Sequence, residues 1–176
     1  MDKLKIGITH GDINGIGYEV ILKTLEDNRI TELCTLIVYG SPKVAAYHRK
    51  LTNVNINLNL INKPADANEN RINIINCCGD EVKVDLGKST SAAGEAAFAA
   101  LERATQDLKE GEIDALVTAP INKNNILTYY LNSKLTKDCK LKIISCHIAI
   151  VALELINCFK TICLSIFKNL SLIKLI

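Results

Sequence analysis

Tryptophan is absent, methionine occurs once, and aromatic residues make up only 5% of the 176-residue chain. A core must therefore be built from Ile, Leu, Val and Ala. No Lys/Arg cluster is interleaved with aromatics, so nucleic-acid binding is not expected. The seven cysteines include no C-x-x-C pair, which removes zinc-ribbon and thioredoxin-like readings. Cys77 and Cys78 are adjacent, and reduced, buried thiols are the expectation for them. The opening MDKLKIGITHGD has no long apolar run to serve as a secretory signal, so the expected compartment is the cytoplasm. Residues 143–156 are the most apolar stretch, but His147 and Glu154 interrupt it. A membrane span wants about 20 mostly apolar residues, so none is expected.

Glycine and proline are missing from one region altogether. All nine glycines and all three prolines lie in residues 1–126. That region carries 14 Lys+Arg against 17 Asp+Glu, a net charge of −3; residues 127–176 carry 7 Lys against Asp138 and Glu154, a net of +5. The chain thus divides into residues 1–126, with normal turn punctuation, and an Ile/Leu/Lys-rich tail over 127–176.

Within 1–126, strand-like and helix-like segments alternate. The β-branched run over 5–9 reads as a strand, followed by a helix over 18–26 with Val20, Ile21, Leu22 and Leu25 mainly on one face. Residues 34–39 read as a buried strand closed by Gly40, and Ser41-Pro42 as an N-cap and first helical residue of a helix running to about Leu51. Residues 55–61 alternate strictly, predicting a half-buried strand. A polar loop covers 64–70, and residues 72–77 and 81–86 suggest a strand pair around Gly79-Asp80. Residues 91–109 are rich in Ala and Leu and stop at Gly111, the clearest helix of the chain. Residues 114–118 form a strand leading into Ala119-Pro120. The alternation predicts an α/β fold with a largely parallel sheet flanked by helices.

Chemistry concentrates after the first strand, in Ile8-Thr9-His10-Gly11-Asp12-Ile13-Asn14-Gly15-Ile16-Gly17-Tyr18-Glu19. Glycines between a strand and a helix let backbone N–H groups approach a phosphate or carboxylate at the positive helix end. The spacing G-x3-G-x-G is neither the dinucleotide fingerprint nor a P-loop. On that spacing alone a tight turn and a ligand loop stand level.

The wider pattern T-x-G-D-x-x-G-I-G-x-E, from Thr9 to Glu19, resembles the opening signature of the 4-hydroxythreonine-4-phosphate dehydrogenase family of vitamin B6 (pyridoxal phosphate) synthesis. Gly87-Lys88-Ser89-Thr90 through Gly94-Glu95-Ala96-Ala97, and Val117-Thr118-Ala119-Pro120-Ile121-Asn122-Lys123, agree with it in order and separation. The resemblance covers about residues 4–126. Ile13 and Tyr18 stand where many family members have proline.

This resemblance implies part of the two-domain α/β fold shared with isocitrate and isopropylmalate dehydrogenases, here truncated. It implies homodimers whose sites draw on both subunits, and a small phosphorylated amino-acid substrate. The secondary alcohol of 4-phosphooxy-threonine would pass hydride to NAD(P), and the β-keto acid would lose CO2. A divalent metal ion held by histidines would act as the Lewis acid. Carried over residue by residue, Thr9, Gly11, Asp12, Asn14, Gly15 and Gly17 would line the cleft. Asp12 is a candidate substrate contact or, equally, an Asx-turn residue. Lys123 is a candidate anion contact beside a strand end, or a solvated lysine at a helix start.

No catalytic residue is assigned. Family proteins continue into a Gly-His-Thr-Glu motif and, further on, metal-binding histidines; after Ile126 this chain reads LTYYLNSKLTKDCKL instead. Its three histidines are His10 in the loop, His48 on an expected surface helix and His147 in the tail, none at a family ligand position, so no metal ligand is assigned. Family pattern, glycine, proline and acidic residues vanish together, and the expectation is a broken reading frame shortly after Ile126. Such a chain would be a truncated dehydrogenase with no turnover of its own. The alternative is a catalytically inactive fragment that at most binds a phosphate-bearing ligand or a partner chain; a third reading is another phosphate-binding α/β enzyme. Truncation would also leave strand edges and apolar faces uncovered, predicting poor solubility.

Overall fold

Among the described residues, strands and helices alternate as β1 (Leu4–Thr9), α1 (Gly17–Leu25), a short α2 (Arg29–Leu33), β2 (Cys34–Gly40), α3 (Pro42–Thr52), β3 (Leu58–Ile61), β4 (Ile72–Asn76), α4 (Ser91–Lys109) and β5 (Ala115–Thr118). This computed structural model describes residues 3–127 and 129, apart from 28, 80 and 81. They lie in one compact unit, Met1–Lys134. The tail that composition sets apart, His147 included, falls outside the described residues beyond its first few positions.

The five strands form one sheet in the order β3-β4-β2-β1-β5. Every pairing is parallel, with Ile6 opposite Leu36 on one side of β1 and opposite Ala115 on the other. The α/β class with a parallel sheet is thus as the sequence predicts. All seven residues of β2 are buried, because helices cover both faces of the sheet. On one face Leu36, Val38 and Ile74 meet Ile21, Leu22 and Leu25 of α1 and Val44 and Ala45 of α3. On the other, Ile37, Tyr39 and Ile75 meet Ala100 and Ala104 of α4. The Tyr39 hydroxyl donates to Asp107 at 2.8 Å, and Arg103 holds the same carboxylate at 3.1 Å, pinning α4 to β2.

The helix boundaries follow local chemistry. Ser41 caps α3 by accepting from the Val44 N–H, with Pro42 in the first turn and Asn53 in the left-handed conformation at its end. Thr90 caps α4 in the same way through Ala93, and Gly111, at φ +75°, follows the last turn. A cap of this kind contributes about 1 kcal/mol.

Four expectations need correction. Residues 82–86 form no strand: β4 already has β3 on one side and β2 on the other, so no free edge remains for a hairpin partner. The strand expected over 55–61 shrinks to β3, although Val54 and Ile56 keep alternate burial ahead of it. Val20 is 46% exposed, since the buried stripe of α1 runs through Tyr18, Ile21, Leu22 and Leu25. His48 is not on a surface. It continues the buried stripe Val44-Ala45-His48 of α3 and is 3% exposed.

Candidate functional site

The three motifs picked out in the sequence meet at the carboxyl ends of β1 and β5. The chain leaves β1 toward β2 on one side while β5 joins on the other, and ligands of open α/β sheets gather at such reversals of strand order. Ala119 donates to the Thr9 carbonyl at 3.1 Å and Asp12 donates to the Pro120 carbonyl at 2.9 Å, so the glycine loop lies along the segment after β5.

Two of the three loop glycines are demanded by this geometry. Gly11 has φ +70°, and a Cβ there would strike the Pro120 carbonyl oxygen. A Cβ on Gly17 would strike the His10 carbonyl oxygen, which α1 approaches as it starts. Gly15 differs. Its nearest neighbours, all on Asp12, would sit 3.6 Å from an added Cβ, an ordinary contact, so the fold itself tolerates a side chain there.

Asp12 and Asn14 organise the turn. The Asp12 Oδ1 accepts from the Asn14 N–H at 3.0 Å and its carbonyl accepts from the Gly15 N–H at 3.1 Å, an Asx-type turn around a carboxylate 9% exposed. The Asn14 side chain reaches further: Nδ2 donates to the Lys88 carbonyl at 2.9 Å and to the Thr90 hydroxyl at 3.0 Å, while Oδ1 accepts from the Asp85 N–H at 2.8 Å. The Gly87 N–H adds a bond to the Asn14 carbonyl at 2.8 Å. Lys88 and Ser89 are exposed beside this turn.

Beneath the loop lies a column of rings. His10, Tyr18 and His48 stack with centroids 5.3 Å apart at each step. The Tyr18 hydroxyl donates to the Ser41 carbonyl at 3.1 Å and accepts from the Ser41 N–H at 2.8 Å. His48 Nε2 donates to the Ile13 carbonyl at 2.8 Å, and His10 Nε2 donates to the Ala96 carbonyl at 3.1 Å. Tyr18, standing where proline would stiffen the turn, holds the loop by stacking and hydrogen bonds instead. Burial pushes the His10 imidazole down to about 4, so it is neutral at pH 7. The thiol of Cys78 lies 3.8 Å from His10 Nε2, and burial pushes it up to about 11. Cys77 points to the opposite face and is raised by burial to about 12. Both are free thiols and both are protonated at neutral pH.

Lys123 is exposed where a further helix opens over residues 123–127. Asn125, 3% exposed in that helix, packs its carbonyl against Gly94 of α4, so the residues just after the third motif touch the second. Among the described residues no group of three or more His, Cys, Asp or Glu side chains could hold a metal ion. Nor is any described helix long and apolar enough to cross a membrane.

Sequence reasoning placed Thr9, Gly11, Asp12, Asn14, Gly15 and Gly17 on one loop, and the structure brings them together with residues 85–90 and 119–120. It missed the ring column and the linking role of Asn14. The spacing of Val44, Ala45 and His48 carried a signal for the first, and nothing local carried one for the second.

The chain is similar to known proteins of one family. The family model described as pyridoxal phosphate biosynthetic protein PdxA matches residues 32–137, running past the boundary drawn at 126. A 4-hydroxythreonine-4-phosphate dehydrogenase of Bacteroides thetaiotaomicron is 57% identical over 125 residues, 71% of this chain and 34% of that protein. The crystal structure of a 4-hydroxythreonine-4-phosphate dehydrogenase from Burkholderia phymatum superposes with a TM-score of 0.66 at 28% identity, covering 72% of this chain and 39% of that one. Its counterpart from Klebsiella pneumoniae gives 0.64 at 29% identity, covering 73% and 40%. The chain therefore spans between a third and two-fifths of the length of these relatives.

Proposed function

The chain belongs to the pyridoxal phosphate biosynthetic protein PdxA family, and from that premise we propose that it carries one side of the cleft of a 4-hydroxythreonine-4-phosphate dehydrogenase. In this reading the cleft takes 4-phosphooxy-L-threonine, whose secondary alcohol gives up hydride to NAD(P) before the β-keto acid loses CO2, a step toward pyridoxal phosphate. Asp12 contributes a polar contact through Oδ2, since Oδ1 is engaged by Asn14. Lys123, exposed at a helix start beside Pro120, contributes an anion contact. Thr9, Gly11, Asn14, Gly15 and Gly17 form the floor.

One observation carries the reading: Gly15 lacks a side chain that the backbone conformation and the surrounding atoms would both accept. A glycine required by neither turn nor packing, at a strand end ahead of a helix, leaves the main chain open to close approach by a ligand.

A divalent metal ion would polarise the alcohol and then the ketone. The described residues do not suit that role, because no three His, Cys, Asp or Glu side chains come together among them to hold an ion and His10 and His48 lie inside the core. The metal ligands belong to a part of the site that these residues do not supply. The 176-residue chain is accordingly expected to bind substrate without turning it over. A homodimer in the cytoplasm is the state proposed for it, and sedimentation velocity checks the first half of that.

The test is a titration of the purified chain with 4-phosphooxy-L-threonine, followed by the amide resonances of Gly11, Asp12 and Gly15, beside a steady-state assay with NAD and a divalent metal. Shifts at these amides without NAD reduction above background are expected. Unmoved resonances would dismiss the cleft, and metal-dependent turnover would dismiss the half-site.

A further inference from the structure

Residues 85–90 lie between β4 and the first turn of α4, and their attachment to the fold is unusual. Among the described residues, the hydrogen bonds that tie 85–88 to the remainder of the protein all end on Asn14: Asp85 N–H on Oδ1, Gly87 N–H on the main-chain carbonyl, and the Lys88 carbonyl on Nδ2. The second Nδ2 proton goes to the Thr90 hydroxyl, which also caps α4 by accepting from Ala93. Asn14 is 2% exposed, whereas Leu86, Gly87, Lys88 and Ser89 are all exposed. A buried amide with both protons and an acceptor site spent on one exposed segment is costly to leave half satisfied, so the arrangement is held as a unit.

We propose that Asn14 is a positioning residue: it docks residues 87–90 against the glycine loop as a further wall of the cleft, facing the phosphate-bearing end of the ligand. The inference rests on the cleft reading above for what that wall faces, and on Asn14 alone for how it is held. Aspartate at this position would keep the Oδ1 acceptor but lose both donors and set a carboxylate against the Lys88 carbonyl. Alanine would lose all three side-chain bonds.

Hydrogen exchange followed residue by residue tests the docking. In N14A the amides of Asp85 and Gly87 should exchange about 30-fold faster or more, as expected for losing two to three net hydrogen bonds, while β2 amides stay at wild-type protection. In N14D, the variant kept in case N14A fails to fold, Asp85 should remain protected while Gly87 does not. Protection at 85–88 that is unchanged, or that falls only in step with β2, overturns the positioning role. Titration of the wild-type chain with inorganic phosphate tests the wall. Amides of Gly87, Lys88 and Ser89 should shift together with those of Gly11 and Gly15, with one dissociation constant. Shifts confined to the glycine loop overturn the wall. Silence in both sets overturns the wall together with the anion reading of the cleft, and the exchange result then separates that failure from a failure of docking.

Discussion

Replacing Tyr18 by phenylalanine removes one oxygen from the centre of the molecule and should be felt strongly. The hydroxyl is engaged twice by one residue, accepting from the Ser41 N–H and donating to the Ser41 carbonyl. After the change the carbonyl still accepts from Ala45 N–H at 2.9 Å, so only the N–H is orphaned. Ser41 is 3% exposed, and water has no open route to that N–H. An unpaired buried donor costs about 1–3 kcal/mol and a neutral hydrogen bond contributes about 1 kcal/mol, so the loss should be about 2–3 kcal/mol. The ring itself remains, and with it the stacking on His10 and His48. For a folded unit of this size that corresponds to a fall in Tm of about 6–12 °C. Urea denaturation followed by circular dichroism should show a lower midpoint with an unchanged slope. Tyr47, 42% exposed, is the control: its phenylalanine variant should stay within about 0.5 kcal/mol of the parent. A Y18F variant as stable as Y47F would refute the claim that Tyr18 stands in for a stiffening proline.

Three further outcomes follow from the same geometry. Because His10 titrates near 4 in the folded state and near 6.5 when exposed, the unfolded chain binds the extra proton between those values. Stability should be complete above pH 6.5 and fall by up to about 3 kcal/mol as pH drops to 4, and His10→Gln should flatten that slope in pH-dependent urea melts. Gly94→Ala should gain about 1 kcal/mol on helix propensity alone. Its Cβ would instead meet the main chain of Asn125, so we expect a net loss in thermal melts and faster proteolysis at residues 123–127. Thr90→Ala removes both the α4 cap and an Asn14 partner, and should cost about 1–2 kcal/mol by urea denaturation.

What could be read from the sequence was local. Ser41-Pro42, the residues leading into Ser91 and the stop at Gly111 mark helix boundaries through chemistry that acts within four residues. The apolar runs of β2 and β4 are legible because a strand buried on both faces needs near-continuous apolar character. Partnership was not legible: the second half of the supposed hairpin at 82–86 looked like a strand, but a parallel sheet had already filled both edges of β4. Motif order put the glycine loop between β1 and α1, where the structure has it. His48 was misplaced because a histidine reads as polar even when it occupies the buried position of a helical repeat. The Asn14 contacts join residues 71 to 76 positions apart, and no periodicity encodes such a pairing.

The most direct test concerns Gly15, where folding and function are predicted to part. Calorimetric titration of 4-phosphooxy-L-threonine into the parent chain and into Gly15→Ala, with thermal melts of both, measures the two quantities side by side. We expect equal melting temperatures and an affinity weakened at least about tenfold in the variant, a difference of about 1.4 kcal/mol. Equal affinity in two equally stable proteins would contradict a ligand seated on that stretch of main chain.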